Sequence, residues 1–122
     1  MIARIEPILL FVRDFQRSLD FYRDVVGLRL KNAEGVHEEY AEFDVGSTTF
    51  ALHGGYEGSG KTRHGEGPLA LHFWTEDIQA TVKRLKDKGA KITREPEWME
   101  FGAWEAAFED PEGNEWGLEQ EG

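Results

Sequence analysis

Apolar positions along this chain switch between two periods, and they do so twice in the same order. A short apolar run at residues 8–12 reads as a strand. Phe15, Leu19, Tyr22 and Val26 then recur at helical spacing, which predicts a helix with one buried stripe. Asp14 stands where an N-cap belongs, and Gly27 stands where a left-handed stop belongs. Alternating runs at 40–43 and 48–53 follow as strands. The second half opens with an apolar strand at 69–74. Ile78, Val82 and Leu85 make the next stripe, Lys83, Arg84, Lys86 and Lys88 face water, and Asp77 and Gly89 supply cap and stop. Strands at 104–108 and 115–119 close it, and weaker fragments at 28–31 and 91–93 supply the remaining strand of each half. Each half therefore reads β-α-β-β-β.

The halves also align residue for residue. Asp14 and Asp77 lie 63 positions apart, and Gly27 and Gly89 lie 62 apart. The ten residues from Asp44 to His53 fall over those from Asp110 to Glu119 at a constant offset of 66. Two units fall short of the three or more that a solenoid needs, so the pattern predicts one duplicated α+β domain with a pseudo-twofold axis. The expected layout is a single domain over 1–122, with module one at 1–57, a Gly-rich linker at 54–67 and module two at 68–122.

Composition narrows the partners. A formal charge of −10 and an isoelectric point near 4.8 argue against nucleic acid and anionic membranes. No disulfide is possible without cysteine. No apolar run nears the ~20 residues that cross a bilayer, and no basic-then-apolar leader opens the chain, so a cytoplasmic location is expected. An acidic surface usually serves solubility; it gains meaning if the ligand is a cation.

Ser18-Leu-Asp-Phe-Tyr-Arg-Asp-Val-Val-Gly-Leu28, inside 14–30, and Phe108-Glu-Asp-Pro-Glu-Gly-Asn114 carry a resemblance. Together they resemble the vicinal oxygen chelate superfamily, which holds glyoxalase I, extradiol dioxygenases, and fosfomycin- and bleomycin-resistance proteins. The resemblance spans essentially the whole chain. It implies tandem βαβββ modules whose half-barrel sheets form a concave pocket, usually in a homodimer. It implies no single activity, because chemistry resides in the site and not in the fold. The family's four metal-ligand positions fall here on Pro7, Ala51, Ala70 and Gly117, none of which offers a side-chain donor. The resemblance is therefore to bleomycin-resistance-like members, with no metal and no cofactor expected.

Two residues further along each strand, on the same face, stand Leu9, His53, His72 and Glu119. His53 and Glu119 are duplicates at 66, and Leu9 and His72 are duplicates at 63. Two imidazoles and a carboxylate form a set that non-haem metal enzymes use. The alternative to a binding protein is thus a metal-dependent lyase, isomerase or dioxygenase on a shifted His53/His72/Glu119 site, with Glu119 or Glu105 as base. His72 must face the pocket side in either case, because Leu69, Leu71 and Phe73 take the other. Phe11 and Trp74 share that alternation, and Trp98, Phe101 and Trp104 lie in a segment expected to cross the mouth of the second module. The expected ligand-binding set is Phe11, His53, His72, Trp74, Trp98, Trp104 and Glu119, suited to a planar or cationic small molecule. Trp116, the duplicate of Phe50, reads instead as core. No catalytic residue can be named from the sequence.

Gly55-Tyr-Glu-Gly-Ser-Gly-Lys-Thr62 satisfies the letters of a phosphate-binding loop. The run 63–68, Arg-His-Gly-Glu-Gly-Pro, cannot open the helix that such a loop requires. The segment reads as a mobile linker. It could also serve as a lid that presents Lys61, Arg63 and His64.

Overall fold

The computed structural model describes residues 1–32 and 38–122. The chain forms two compact units, Met1–Gly58 and Ser59–Gly122. In the first, β1 (Ile8–Phe11) leads into α1 (Phe15–Asp20), followed by β2 (Arg29–Asn32), β3 (Tyr40–Val45) and β4 (Thr48–His53). In the second, β5 (Leu71–Trp74) precedes α2 (Ile78–Asp87), β6 (Lys91–Met99), β7 (Ala103–Glu109) and β8 (Glu115–Glu121). Sheet orders are β1-β4-β3-β2 and β5-β8-β7-β6, with the first pair of each parallel and the others antiparallel. This is the tandem βαβββ arrangement that the alternating periods predict.

The offsets of 63 and 66 reappear as ladder partners. Leu9 pairs with Ala51 and Phe11 with His53 in unit one, while His72 pairs with Gly117 and Trp74 with Glu119 in unit two. Both helices begin as expected, with Asp14 Oδ1 accepting from the Arg17 amide at 3.1 Å and Asp77 Oδ1 from the Ala80 amide at 3.0 Å. Both stop at a glycine with positive φ, Gly27 at 86° and Gly89 at 90°. The following amide reaches back to the last turn each time, Leu28 to Tyr22 O and Ala90 to Leu85 O, both at 2.9 Å.

The helices differ in between. α2 runs regularly and buries Ile78, Val82 and Leu85. α1 passes after Asp20 into a π-helical turn, Phe21–Val25. One extra residue per turn rotates the stripe, so Phe21 becomes buried beside Tyr22 while Val26, expected in the stripe, is only half-buried. In unit one the helical turn meets its sheet through aromatics, with Tyr22 4.9 Å from Phe50, and in unit two Trp116 and Phe73 of the sheet stack on each other at 4.0 Å. Burying one such ring stabilises by about 4–6 kcal/mol before entropy is charged. Trp116 is 2% exposed, so it is core as its pairing with Phe50 suggests.

Three local expectations are corrected. Leu69 precedes β5 and is exposed, because the strand starts only at Leu71. β6 runs to Met99 rather than stopping near Thr93; cross-strand pairing with β7 carries a polar stretch that its own hydrophobicity would not. The Gly-rich segment is tied down rather than free. Within unit one the Tyr56 amide donates to Val12 O at 3.1 Å, and the Arg13 guanidinium lies 4.8 Å from the Tyr56 ring centre. Within unit two the Thr62 amide donates to Asn114 Oδ1 at 2.8 Å and the Glu115 amide to Thr62 O at 2.6 Å. No helix opens at Lys61 or Thr62. The letters of the phosphate loop thus lack their structure. Among the described residues, no helix is long and apolar enough to cross a membrane.

Candidate functional site

In each sheet, alternation sends one set of side chains to the helix and the other to an open face. Unit one presents Leu9 and Phe11 from β1, Ala51 and His53 from β4, and their β3 partners Glu42 and Tyr40. The Phe11 and His53 rings lie 5.3 Å apart, and Tyr40 meets His53 edge-on at 6.1 Å. His53 Nδ1 is 2.7 Å from Gly54 O, which can only accept, so Nδ1 carries the proton and Nε2 is left to face outward. Tyr40 donates to Glu42 Oε2 at 2.9 Å. Burial and then this bond to a carboxylate raise the phenol above its ordinary value.

Unit two carries more charge. Across β5, β8, β7 and β6 the ladder sets Trp74, Glu119, Glu105 and Glu97 side by side in one row. Neighbours in such a row stand about 5 Å apart at Cβ, so three carboxylates face one another directly. Arg94 Nη1 lies 3.7 Å from Glu105 Oε1 and offsets part of this charge. Trp74 is 57% exposed at the end of the row.

The next row holds His72, Gly117, Ala107 and Arg94. Its centre has almost no side chain, so a cavity of about 210 Å³ opens there between His72 and Arg94, with His64, Thr93, Glu105 and Glu115 around it. Glycine at 117 is a steric requirement of His72: a Cβ there would fall 2.6 Å from the imidazole Nδ1. Glu115 is held by the Thr93 hydroxyl at 2.7 Å and the His64 amide at 3.0 Å, with Arg63 3.7 Å away. Burial pushes its pKa up, but these contacts outweigh it and hold the carboxyl below its ordinary value.

The linker is built into this arrangement. Arg63 Nη1 binds Glu109 Oε2 at 2.7 Å and Gly113 O at 3.1 Å. Beside it, Asp110 Oδ1 accepts the amides of Glu112 and Asn114, both at 2.9 Å, which shapes the Asp110-Pro-Glu-Gly-Asn114 turn. His64 is thereby carried to within 5.4 Å of His72, ring centre to ring centre.

The expected site residues separate into groups. Phe11 and His53 come together in unit one, and His72, Trp74 and Glu119 share the open face of unit two. Trp98 and Trp104 do not join that face. They pair with each other at 5.6 Å, and alternation along β7 puts Trp104 on the side of Phe108, opposite to Glu105. The sequence puts Trp98, Phe101 and Trp104 in a segment that crosses the mouth of the second module, and that segment is largely a strand hairpin with a fixed inside and outside. Sequence reading passed over Tyr40, Glu42, Thr93, Arg94 and Glu97. All five lie on β3 or β6, where the cross-strand partner and not the local pattern assigns the role.

Comparison with known proteins bears on this arrangement. Residues 4–118 match the family model described as Glyoxalase/Bleomycin resistance protein/Dioxygenase superfamily. An uncharacterized protein, YraH, of Bacillus subtilis is 34% identical over 91% of this chain and 93% of its own. A probable lactoylglutathione lyase of Synechocystis is 33% identical over 84% and 83%. The crystal structure of TnmS3, an antibiotic binding protein from Streptomyces, superposes with a TM-score of 0.76 at 25% identity over the full length of both chains. With its tandem βαβββ units and a family match over nearly its whole length, the chain belongs to the Glyoxalase/Bleomycin resistance protein/Dioxygenase superfamily.

Proposed function

We propose that this protein binds a small planar or cationic organic molecule, in the manner of bleomycin-resistance-type members, without the metal site usual in its superfamily. The observation that carries this reading is the row Trp74, Glu119, Glu105 and Glu97 on one open face. Like charges set directly opposite each other destabilise a sheet. A bound cation relieves that repulsion while stacking on Trp74, so binding and charge relief act together. Phe11 beside His53 repeats the aromatic half of the motif in unit one. An antibiotic binding protein among the similar structures supports the same use of the fold.

The family's metal does not fit the residues at its usual positions. Pro7, Ala51, Ala70 and Gly117 have no side-chain donors, and the space above Gly117 is taken by the His72 imidazole. Binding needs no reacting group, only a complementary surface. Exposed Leu9 and Phe11 on the edge strand β1 support a homodimer, which light scattering would reveal.

A second reading is favoured by the relative named as a probable lactoylglutathione lyase. It makes this chain a metal-dependent lyase, isomerase or dioxygenase on a shifted His53/His72/Glu119 set, with Glu119 or Glu105 as base. Calorimetric titration with a panel of planar cations tests the preferred reading. Binding that weakens by about 1–2 kcal/mol in Trp74→Ala is expected. Absence of binding across the panel would sink it.

A further inference from the structure

The cavity beside the acidic row has a chemistry of its own. Its fixed charges are matched within unit two: Arg94 faces Glu105, and Glu115 is held by Thr93, the His64 amide and Arg63. What remains available for hydrogen bonding is the pair of imidazole rings. Among the described residues, neither the His64 ring nor the His72 ring has a hydrogen-bond partner, although both line the cavity. An imidazole in its neutral form offers one donor and one acceptor, so two such rings set edge to face present a mixed hydrogen-bonding wall. The His72 ring itself lies over Gly117, and beside it the floor is Ala107, whose methyl leaves room for a planar group. At about 210 Å³ the space is smaller than the 300–1,000 Å³ of pockets that enclose a drug-sized molecule. It takes a head group, not a whole ligand.

We propose that this cavity recognises an uncharged planar group with adjacent donor and acceptor, of the carboxamide or imide type, attached to the cationic ring that Trp74 and Glu119 hold. The inference rests on the ligand reading above and divides its recognition between two rows of the unit-two sheet. The row with Trp74 selects the charge. The row with His72, together with His64 from the inter-unit segment, selects the amide.

Two probes separate the rows. 1-Methylnicotinamide carries a cationic ring and a carboxamide; N-methylpyridinium carries the ring alone. Affinities are measured by calorimetry at about pH 8, and the imidazole resonances of His64 and His72 are followed by NMR. The carboxamide probe is expected to bind roughly tenfold more tightly and to shift both imidazole signals. His64→Ala and His72→Ala should each bring the affinities for the two probes close together, and His72→Gln, which keeps a donor and an acceptor, should restore part of the difference. Trp74→Ala should weaken both probes alike. Equal affinity of the wild-type protein for the two probes, or an advantage that survives both alanine variants, would overturn the assignment of this cavity and leave the cation reading intact. Failure of both probes to bind would overturn the cation reading itself and this assignment with it.

Discussion

The two units share a plan and differ at the same ladder positions. Where unit one has Leu9 beside Ala51, unit two has His72 beside Gly117, and where unit one has Phe11 beside His53, unit two has Trp74 beside Glu119. Duplication kept the scaffold and let the open faces diverge. Unit one became aromatic with one imidazole, and unit two became acidic with a hollow floor. The hairpins differ in the same sense. Asp44 makes no side-chain hydrogen bond or ion pair among the described residues, whereas its duplicate Asp110 is 4% exposed and organises a whole turn. Divergence also reached the helix stripes, where Phe15 and Tyr22 of unit one stand against Ile78 and Leu85 of unit two, while the sheet residue beneath stayed aromatic, Phe50 against Trp116.

If the helix-facing layers are equivalent, Phe50→Ala and Trp116→Ala should each cost about 3–5 kcal/mol in urea unfolding. A loss below 1 kcal/mol at either site would break the equivalence. The turns should behave oppositely. Asp110→Ala strands two amides and the Asn114 side chain, so a loss of roughly 2–3 kcal/mol is expected, against less than about 0.5 kcal/mol for Asp44→Ala. Equal losses would mean that the Asp110 network contributes little. Smaller still is the effect at the hollow floor: Gly117→Ala should cost about 1–2 kcal/mol by displacing the His72 ring, and His72→Ala in the same chain should relieve it. Additive costs would show that the two residues do not compete for space.

The smallest expected effect is one of pH. Glu115 sits below its ordinary 4.5, so the folded state binds its proton less readily than the unfolded chain. Its contribution is fully present above that ordinary value and is lost as pH falls through the lowered one. Glu115→Gln should therefore flatten the acid limb of stability against pH, while leaving the neutral limb parallel to that of the wild type.

Much of this was legible from residues alone because duplication supplies a second reading of every element. The constant offsets matched the two halves residue for residue, so that Leu9 and His72, and His53 and Glu119, stand at equivalent ladder positions. Caps and stops were legible because Asp14, Asp77, Gly27 and Gly89 act through local backbone chemistry. The π-helical turn was only half legible: from cap to stop the first helix is one residue longer than the second, as the offsets of 63 and 62 show, but spacing alone does not say where the extra residue sits. The face that Trp98 and Trp104 take was not legible for a related reason. Their strand is polar and is held by its partner β7, so only the pairing shows which way they point. The acidic row and the imidazole cavity were half legible: His72 and Glu119 could be found, but Glu105's neighbours and the approach of His64 depend on contacts far apart in sequence.

The central claim is that unit-two residues recognise an organic ligand in a family whose usual ion has no donors here. Its most direct test is the metal content of protein purified without chelators and without a histidine tag, then equilibrated with iron, zinc, nickel or manganese. The account predicts far less than one equivalent of any ion per chain, with no change in metal content for His72→Ala. One equivalent retained at neutral pH, and lost in His72→Ala, would contradict it and make the shifted His53/His72/Glu119 site a catalytic centre.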